Sequence, residues 1–258
     1  MTKTLGVAVI HGMGSQRSRA FADPLIEELQ SRLPQPQKVA WRRIFWADVL
    51  SARQEKFLRD ANRSNTLDFF ALRRFVVSAF GDASAYRRVG NDARSTYGRI
   101  HTIIRDEVAA LREDLGGVNR PLVVLGHSLG GHILSNYIWD IQKGNTIAPP
   151  GNNAFERMRT LAGVITFGCN IPLFTFALTK VVPIALPPGA TWLNFYDPDD
   201  VLGYPLKPLS PEYRQTVKRD TPINVGGMAT GWNPLSHTQY WTDDDFTKPV
   251  AKFLAKLI

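Results

Sequence analysis

The hydrophobic residues of this chain fall into short continuous runs, and segments with helical spacing separate these runs. The first run is Leu5 to Ile10, which leads into the glycine loop His11-Gly12-Met13-Gly14. A short, unbroken apolar run of this kind predicts a fully buried strand. Further strands are predicted at Val39 to Trp46, Leu122 to Leu125, Leu161 to Phe167, Trp192 to Tyr196 and Ile223 to Val225.

Helices are predicted between these runs, at Ala20 to Leu33, Arg94 to Leu115, Leu129 to Gln142 and Asp245 to Leu257. For the last of them Thr242 is the predicted N-cap, ahead of acids that the helix dipole favours. Buried strands that alternate with helices predict an α/β fold, with about six mostly parallel strands and helices on both faces. A single domain over residues 1–258 is expected.

Two segments are longer than this alternation requires. Residues 48–93 are predicted to form a helical insertion, with an amphipathic helix near Phe69 to Phe80. That helix either covers the core or docks on an anionic membrane or a partner, and the sequence leaves both interpretations open. Residues 171–188 are apolar and interrupted by prolines, and we interpret them as a candidate lid or acyl-binding wall.

The composition is that of a globular protein, since 44% of the 258 residues are hydrophobic and 21% are charged. It excludes disordered, coiled-coil, collagen-like and disulfide-scaffold proteins. Cys169 is the only cysteine, so no internal disulfide can form. Neither a signal peptide nor an apolar stretch of about 18 residues is visible, and a cytoplasmic location is therefore expected.

The net charge is +8, and residues 1–120 hold 20 Lys/Arg against 13 Asp/Glu. We interpret this mainly as a solvated helical surface, and peripheral membrane contact stays open. No Lys/Arg cluster is interleaved with stacking aromatics, so no nucleic-acid partner is expected. Phosphate-binding and dinucleotide-binding glycine motifs are absent, and so is a metal-ligand spacing. No cofactor or metal is therefore expected.

The strongest chemical signal is Gly126-His127-Ser128-Leu129-Gly130-Gly131, which matches the G-x-S-x-G nucleophile elbow between a strand and a helix. Such a turn is expected to expose Ser128 near a helix N-terminus. A serine hydroxyl needs a base to become nucleophilic. His237, in a polar loop after the last strand, is the predicted base. His127 and His132 are excluded as the base because the elbow points Ser128 away from its neighbours in the sequence. His101 is expected in the middle of a helix, and His11 is expected beside the glycine loop.

The base must be oriented by a carboxylate, and Asp197, Asp199 and Asp200 follow a predicted strand. Asp200 is the expected partner because it precedes an apolar pair, and Asp197 is the runner-up. The resulting order Ser128, Asp200, His237 is the order found in α/β-hydrolases. The backbone amides of Leu129 and Met13 are the predicted oxyanion-hole donors.

The chain resembles the α/β-hydrolase superfamily, lipase- and esterase-like branch. The motifs that carry the resemblance span about residues 5–241: the His11-Gly12-Met13-Gly14 loop, the elbow, Thr166-Phe167-Gly168, Asp200-Val201 and Ser236-His237. The resemblance implies that Ser128 is the nucleophile, His237 the base and Asp200 its partner, and that Met13 donates to the oxyanion. It also implies that two leading strands of larger members are missing here.

The activity that the resemblance implies is hydrolysis of a small-molecule or lipid carboxylic ester through an acyl-enzyme. Two alternatives stay open. The same triad serves thioesterases and amidases, and a hydrolase fold can also be kept as a non-catalytic binding module. The sequence indicates no oligomeric state.

Overall fold

The structure is a computed structural model that describes residues 2–13, 18–65, 67–226 and 236–258. Its strands form one sheet in which all neighbouring strands run parallel, in the order β2-β1-β3-β4-β5-β6. The strands are β1 (Leu5–Ile10), β2 (Val39–Ile44), β3 (Leu122–His127), β4 (Leu161–Phe167), β5 (Thr191–Tyr196) and β6 (Val217–Pro222).

The helices cover both faces of this sheet. They are α1 (Asp23–Arg32), α2 (Ser51–Asn65), α3 (Phe70–Ala85), α4 (Thr96–Asp114), α5 (Leu129–Lys143), α6 (Pro211–Thr216) and α7 (Asp244–Leu254). Apolar residues of α1 and α7 form the core on one face, and those of α4 and α5 form it on the other. The predicted α/β architecture, with six strands and helices on both faces of the sheet, is confirmed.

The central strands are apolar because both of their faces are buried. Every residue of β1 and of β3 lies in the interior, as a parallel sheet covered on two sides requires. The strand order changes direction between β1 and β3. In sheets of this type, ligands bind beyond the carboxyl ends of the strands at such a switch point. The loop after β1 and the turn after β3 therefore meet at the expected binding edge.

Several predicted element bounds are wrong, among them those of the last strand, of β2 and of the start of α7. The last strand is β6 rather than Ile223 to Val225. As an edge strand it exposes Lys218 and Arg219 and lacks an apolar run. β2 ends at Ile44 and not at Trp46. The N-cap of α7 is Asp243 and not Thr242, since the Asp243 carboxylate accepts a hydrogen bond from the Asp245 amide at 2.8 Å.

The predicted helical insertion is present, and it contains two helices where the sequence indicated one. α3 extends the predicted amphipathic helix, and α2 precedes it. α2 is mostly charged and polar, so apolar periodicity gives it little signal. Residues 171–188 contain one 3-10 helix, Ile171–Phe174, followed by irregular chain. No helix within the described ranges is both long and apolar enough to cross a membrane.

Candidate active site

Ser128 lies in a sharp turn between β3 and α5. Its backbone has φ 52° and ψ −127°, a strained conformation for a residue with a side chain. Glycines make the turn possible. A Cβ on Gly126 would come 2.7 Å from the Gly131 Cα atom, and one on Gly130 would come 2.5 Å from the His11 carbonyl oxygen. Strand, helix and the loop after β1 can approach so closely only because these side chains are missing.

The structure brings Ser128, His237 and Asp200 into one chain of hydrogen bonds. His237 Nε2 lies 2.7 Å from Ser128 Oγ. His237 Nδ1 lies 2.8 Å from Asp200 Oδ2 and 3.0 Å from Oδ1. Because a carboxylate only accepts, the network assigns the proton of neutral His237 to Nδ1 and leaves Nε2 free to accept from the serine hydroxyl. This is the arrangement in which a histidine can act as a general base toward a serine.

The expectation that Ser128 is exposed is wrong. Its side chain is fully buried, and His237 and Asp200 are almost completely buried as well. The reason is close cover from the loop after β1. A Cβ on Gly12 would lie 2.5 Å from Ser128 Cβ and 3.0 Å from Ser128 Oγ. In a site with so little water, each hydrogen bond to a charged group is stronger than it would be at the surface.

The two acids that the sequence left in competition have different partners. Asp200 accepts hydrogen bonds from His237, from the Leu202 amide at 3.0 Å and from the Tyr240 hydroxyl at 2.8 Å. Burial of Asp200 disfavours its charge, but His237 together with the other two donors lowers its pKa below the ordinary value. Asp200 is thus held as the carboxylate that faces the histidine.

Asp197 instead joins its own loop to the segment after β6. Its carboxylate accepts from the Val225 amide at 2.7 Å and from the Asp199 amide at 2.8 Å. Asp199, the third acid of the cluster, is exposed. Tyr240 links the two buried acids, since its hydroxyl donates to Asp200 and accepts from the Asp197 amide at 2.9 Å. Sequence reasoning missed Tyr240, because no motif marks it and the contact depends on folding.

The glycine loop after β1 is fixed by His11. The His11 Nδ1–H donates to the Gly12 carbonyl at 2.7 Å, and its Nε2 accepts from the Trp46 amide at 3.1 Å. Burial lowers the pKa of His11 to about 4, so the ring is neutral at pH 7. In a planar trans peptide, C=O and N–H point in opposite directions. The Met13 N–H therefore points away from His11.

Leu129, the other predicted oxyanion donor, is the first residue of α5. The amides of a helix's first turn have no acceptor within the helix and are available to a ligand. Met13 is partly buried and packs against the core on the α4/α5 face. Leu129 directly follows Ser128, and Met13 directly follows Gly12, which approaches Ser128 closely. Both amides remain the predicted oxyanion-hole donors.

His127 contacts His237, although the sequence analysis gave it no part in the site because it directly precedes Ser128. Its Nε2–H donates to the main-chain carbonyl of His237 at 2.8 Å, and the two rings lie 4.8 Å apart. Burial, and then the charge of His237, lower the pKa of His127 to about 3. The ring is therefore neutral and holds the backbone of the predicted base in place. His101 is mid-helix as predicted and bonds to the Tyr86 hydroxyl at 2.8 Å.

A groove of about 330 Å³ runs along one side of α5. One wall consists of residues on a single face of α5, which begin one helical turn after Ser128: His132, Ser135, Asn136 and Trp139. The other wall is formed by residues 171–182, where Phe174 stacks on the His132 ring at 4.3 Å. Burial lowers the pKa of His132 to about 4, so the wall of α5 carries no charge at pH 7. The groove is thus mostly apolar, with Lys180 among its lining residues, and it begins one helical turn beyond Ser128.

No cluster of three or more His, Cys, Asp or Glu side chains that could hold a metal ion occurs in the described ranges. Cys169, fully buried next to the turn, is no candidate nucleophile, because burial raises the pKa of its thiol to about 12.

No protein-family model matches the sequence, and no curated protein matches it either. Solved structures do resemble the fold. Esterase PE8 has 12% identity and a TM-score of 0.48, over 100% of this chain and 94% of that one. An acetyl xylan esterase has 11% identity and a TM-score of 0.46, over 100% and 99%.

Dienelactone hydrolase from Anabaena variabilis is a third similar structure, with 16% identity and a TM-score of 0.45 over 99% of this chain and 85% of that one. At these identities and TM-scores, no activity and no residue role can be transferred from any of the three proteins.

Proposed function

We propose that the protein is a serine hydrolase of carboxylic esters with an α/β-hydrolase fold, on the basis of the hydrogen-bonded chain Ser128–His237–Asp200. The observation that carries the proposal is the 2.7 Å contact between Ser128 Oγ and His237 Nε2, with Asp200 on the opposite nitrogen. A base in contact with the hydroxyl and an acid behind the base are the requirements for an activated serine.

In the proposed mechanism, Ser128 Oγ attacks the ester carbonyl carbon while His237 Nε2 takes the hydroxyl proton. Asp200 stabilises the imidazolium that forms. The amides of Met13 and Leu129 hold the oxyanion of the tetrahedral intermediate. The intermediate collapses to an acyl-enzyme, and His237 gives its proton to the departing alcohol. A water molecule then attacks the acyl-enzyme with His237 as base, which releases the carboxylic acid and restores Ser128.

The substrate is proposed to be a small-molecule or lipid ester whose acyl part occupies the groove along α5. The groove is mostly apolar, and its outer wall belongs to the 171–188 segment interpreted above as a lid or acyl-binding wall. Thioesters and amides pass through the same oxyanion, so the triad alone does not distinguish them from esters.

The complete burial of Ser128 is the observation that favours the second candidate, a non-catalytic binding module. The two candidates differ in whether Ser128 reacts. We would treat the protein with a fluorophosphonate and measure its intact mass, then assay esters of increasing acyl length. Ser128→Ala is compared with Ser135→Ala, a serine of the same helix that lines the groove.

We expect one adduct on the wild type and on Ser135→Ala, and none on Ser128→Ala. Ester hydrolysis by Ser128→Ala is expected to fall by about 10⁴-fold, as in other serine triads. If the folded wild type forms no adduct and hydrolyses no ester, the serine-hydrolase proposal fails and the binding module takes its place.

A further inference from the structure

The helical hairpin of α2 and α3 presents large apolar side chains to solvent. On α3 and at its start, residues spaced by three or four positions share one helical face. They are Phe69 (79% exposed), Leu72 (60%), Val76 (41%) and Phe80 (64%). Phe57 of α2 is 61% exposed and lies beside them. Exposed apolar residues are ordinary singly, but a contiguous set marks an interaction surface.

Four of these side chains, all except Phe80, line a shallow groove of about 470 Å³ between the two helices. Leu58, Ala61, Leu67 and Val77 form its floor and sides. The inner faces of the hairpin, by contrast, already have packing and hydrogen-bond partners within the fold. Ala79 is buried, and Gln54 of α2 donates to the Asp82 carboxylate of α3 at 2.8 Å. The outward apolar face is therefore not left over from the packing of the two helices against each other.

Phe69 combines exposure with backbone strain. It has φ 55° and ψ 41° at the N-terminus of α3, in the left-handed region that bulky residues rarely occupy. Glycine or asparagine would fit this conformation with less strain. A phenylalanine that is both strained and 79% exposed is unfavourable in water. Its side chain would gain free energy on transfer to an apolar environment.

The charge of the hairpin indicates what covers this face. Residues 51–80 hold six Lys/Arg against three Asp/Glu. Arg73 lines the groove itself. Further exposed basic residues lie on α2: Arg53, Lys56, Arg59 and Arg63. A second copy of this chain, itself with a net charge of +8, would bring like charges together. An anionic surface with an apolar interior matches both the charge and the apolar side chains.

We propose that the α2–α3 hairpin docks this protein on an anionic lipid surface. Phe69, Leu72 and Phe80 enter the boundary between headgroups and acyl chains, and the flanking arginines contact lipid phosphates. The hairpin follows β2, which ends at Ile44, and Trp46 in the connection donates its indole Nε1–H to the His11 carbonyl at 3.0 Å. The hairpin therefore begins at the carboxyl edge of the sheet, the edge at which Ser128 also lies.

The experiment is flotation of the full-length protein with two kinds of vesicle, phosphatidylcholine alone and phosphatidylcholine with about 30% phosphatidylglycerol, at low and high salt. The apolar variant is Phe69→Ser combined with Phe80→Ser, and Val118→Ser is its control at an exposed site elsewhere. The charge variant is Arg73→Glu. Its control is Lys252→Glu on α7, which packs on the opposite face of the sheet.

We expect the wild type to float with anionic vesicles at low salt and to be released by high salt or by omission of the anionic lipid. The apolar variant and Arg73→Glu should each lose about tenfold in partitioning. The two controls should behave as the wild type. Circular dichroism and thermal unfolding check that every variant is folded, which is expected because the altered side chains are exposed.

Two results would overturn the proposal. One is failure of the folded wild type to bind anionic vesicles at low salt. The other is equal binding by the apolar variant and the wild type. A wild type that is dimeric in solution, made monomeric by the apolar variant, would instead assign the face to a second copy. None of these results depends on ester hydrolysis, so this inference and the proposed function fail separately.

Discussion

Hydrogen bonds around two neighbouring carboxylates decide which acid can serve His237. Asp200 accepts hydrogen bonds from His237, a backbone amide and the Tyr240 hydroxyl. Asp197 accepts instead from the Asp199 amide of its own loop and from the Val225 amide after β6. The sequence placed both acids after β5 and preferred Asp200 on its apolar neighbours alone. Its catalytic role stays a prediction until it is measured.

Replacement of each acid by asparagine separates the two roles. Asp200→Asn removes the negative charge that holds the His237 Nδ1–H, which disfavours the required tautomer, so we expect kcat for a short-chain ester to fall by about 10³- to 10⁴-fold. Asp197→Asn keeps one acceptor oxygen for the loop amides. It should lower Tm by a few degrees and leave kcat within about tenfold. Equal losses of kcat in the two variants would contradict this assignment.

The groove beside the site is built by two elements that are far apart in the chain, α5 and the segment that follows β4. The residues of α5 that line the groove are predictable from the sequence, because they follow Ser128 at helical spacing. The partner wall is not, since prolines and the 3-10 helix Ile171–Phe174 give residues 171–188 no periodic pattern. The tertiary structure shows which apolar side chains of this segment turn inward, since Phe174 stacks on His132 and Ile171 and Ile184 are buried.

Phe174→Ser tests whether this groove holds the acyl chain. Loss of the aromatic wall should reduce kcat/KM for an octanoyl ester by about tenfold, because apolar contact with the longer chain is lost. The value for an acetyl ester should change less than about twofold. Phe176→Ser is the matched control, since Phe176 is 80% exposed and does not line the groove. An unchanged chain-length preference in Phe174→Ser would remove the groove from the substrate model.

Two errors of the sequence analysis, the missed strand β6 and the missed helix α2, have a common cause. β6 and α2 are polar, one as an edge strand and the other as an exposed helix of the insertion. Hydrophobic periodicity reports burial, so it finds elements that are buried and misses those that are not. The single domain expected over residues 1–258 remains a prediction.

Across the whole molecule, folding keeps four histidines neutral. Burial lowers the pKa of His11 and His132 to about 4, and of His101 and His127 to about 3. In the unfolded chain each would titrate near 6.5. Below that pH the unfolded state binds more protons than the native state, so the free energy of unfolding decreases as the pH falls.

We therefore expect the urea midpoint to drop between pH 7 and pH 5, with each buried histidine contributing at most about 2 kcal/mol. Asp200, whose pKa is lowered, adds to the loss only at pH values below about 4. His132→Phe keeps an aromatic ring against Phe174 and removes one titrating group. Its midpoint should depend less on pH than that of the wild type, and an equal or steeper dependence would show that His132 does not contribute.

The sequence by itself determined the parallel sheet and the turn at Ser128. Both depend on local patterns, since continuous apolar runs indicate buried strands and glycines at fixed positions permit the close approach of strand and helix. Tertiary structure decided the rest of the site. His237 meets Asp200 across 37 positions and Ser128 across 109, and its carbonyl meets His127 across 110. Contacts at such separations depend on packed distances, which no local spacing encodes, and so does the burial of Ser128.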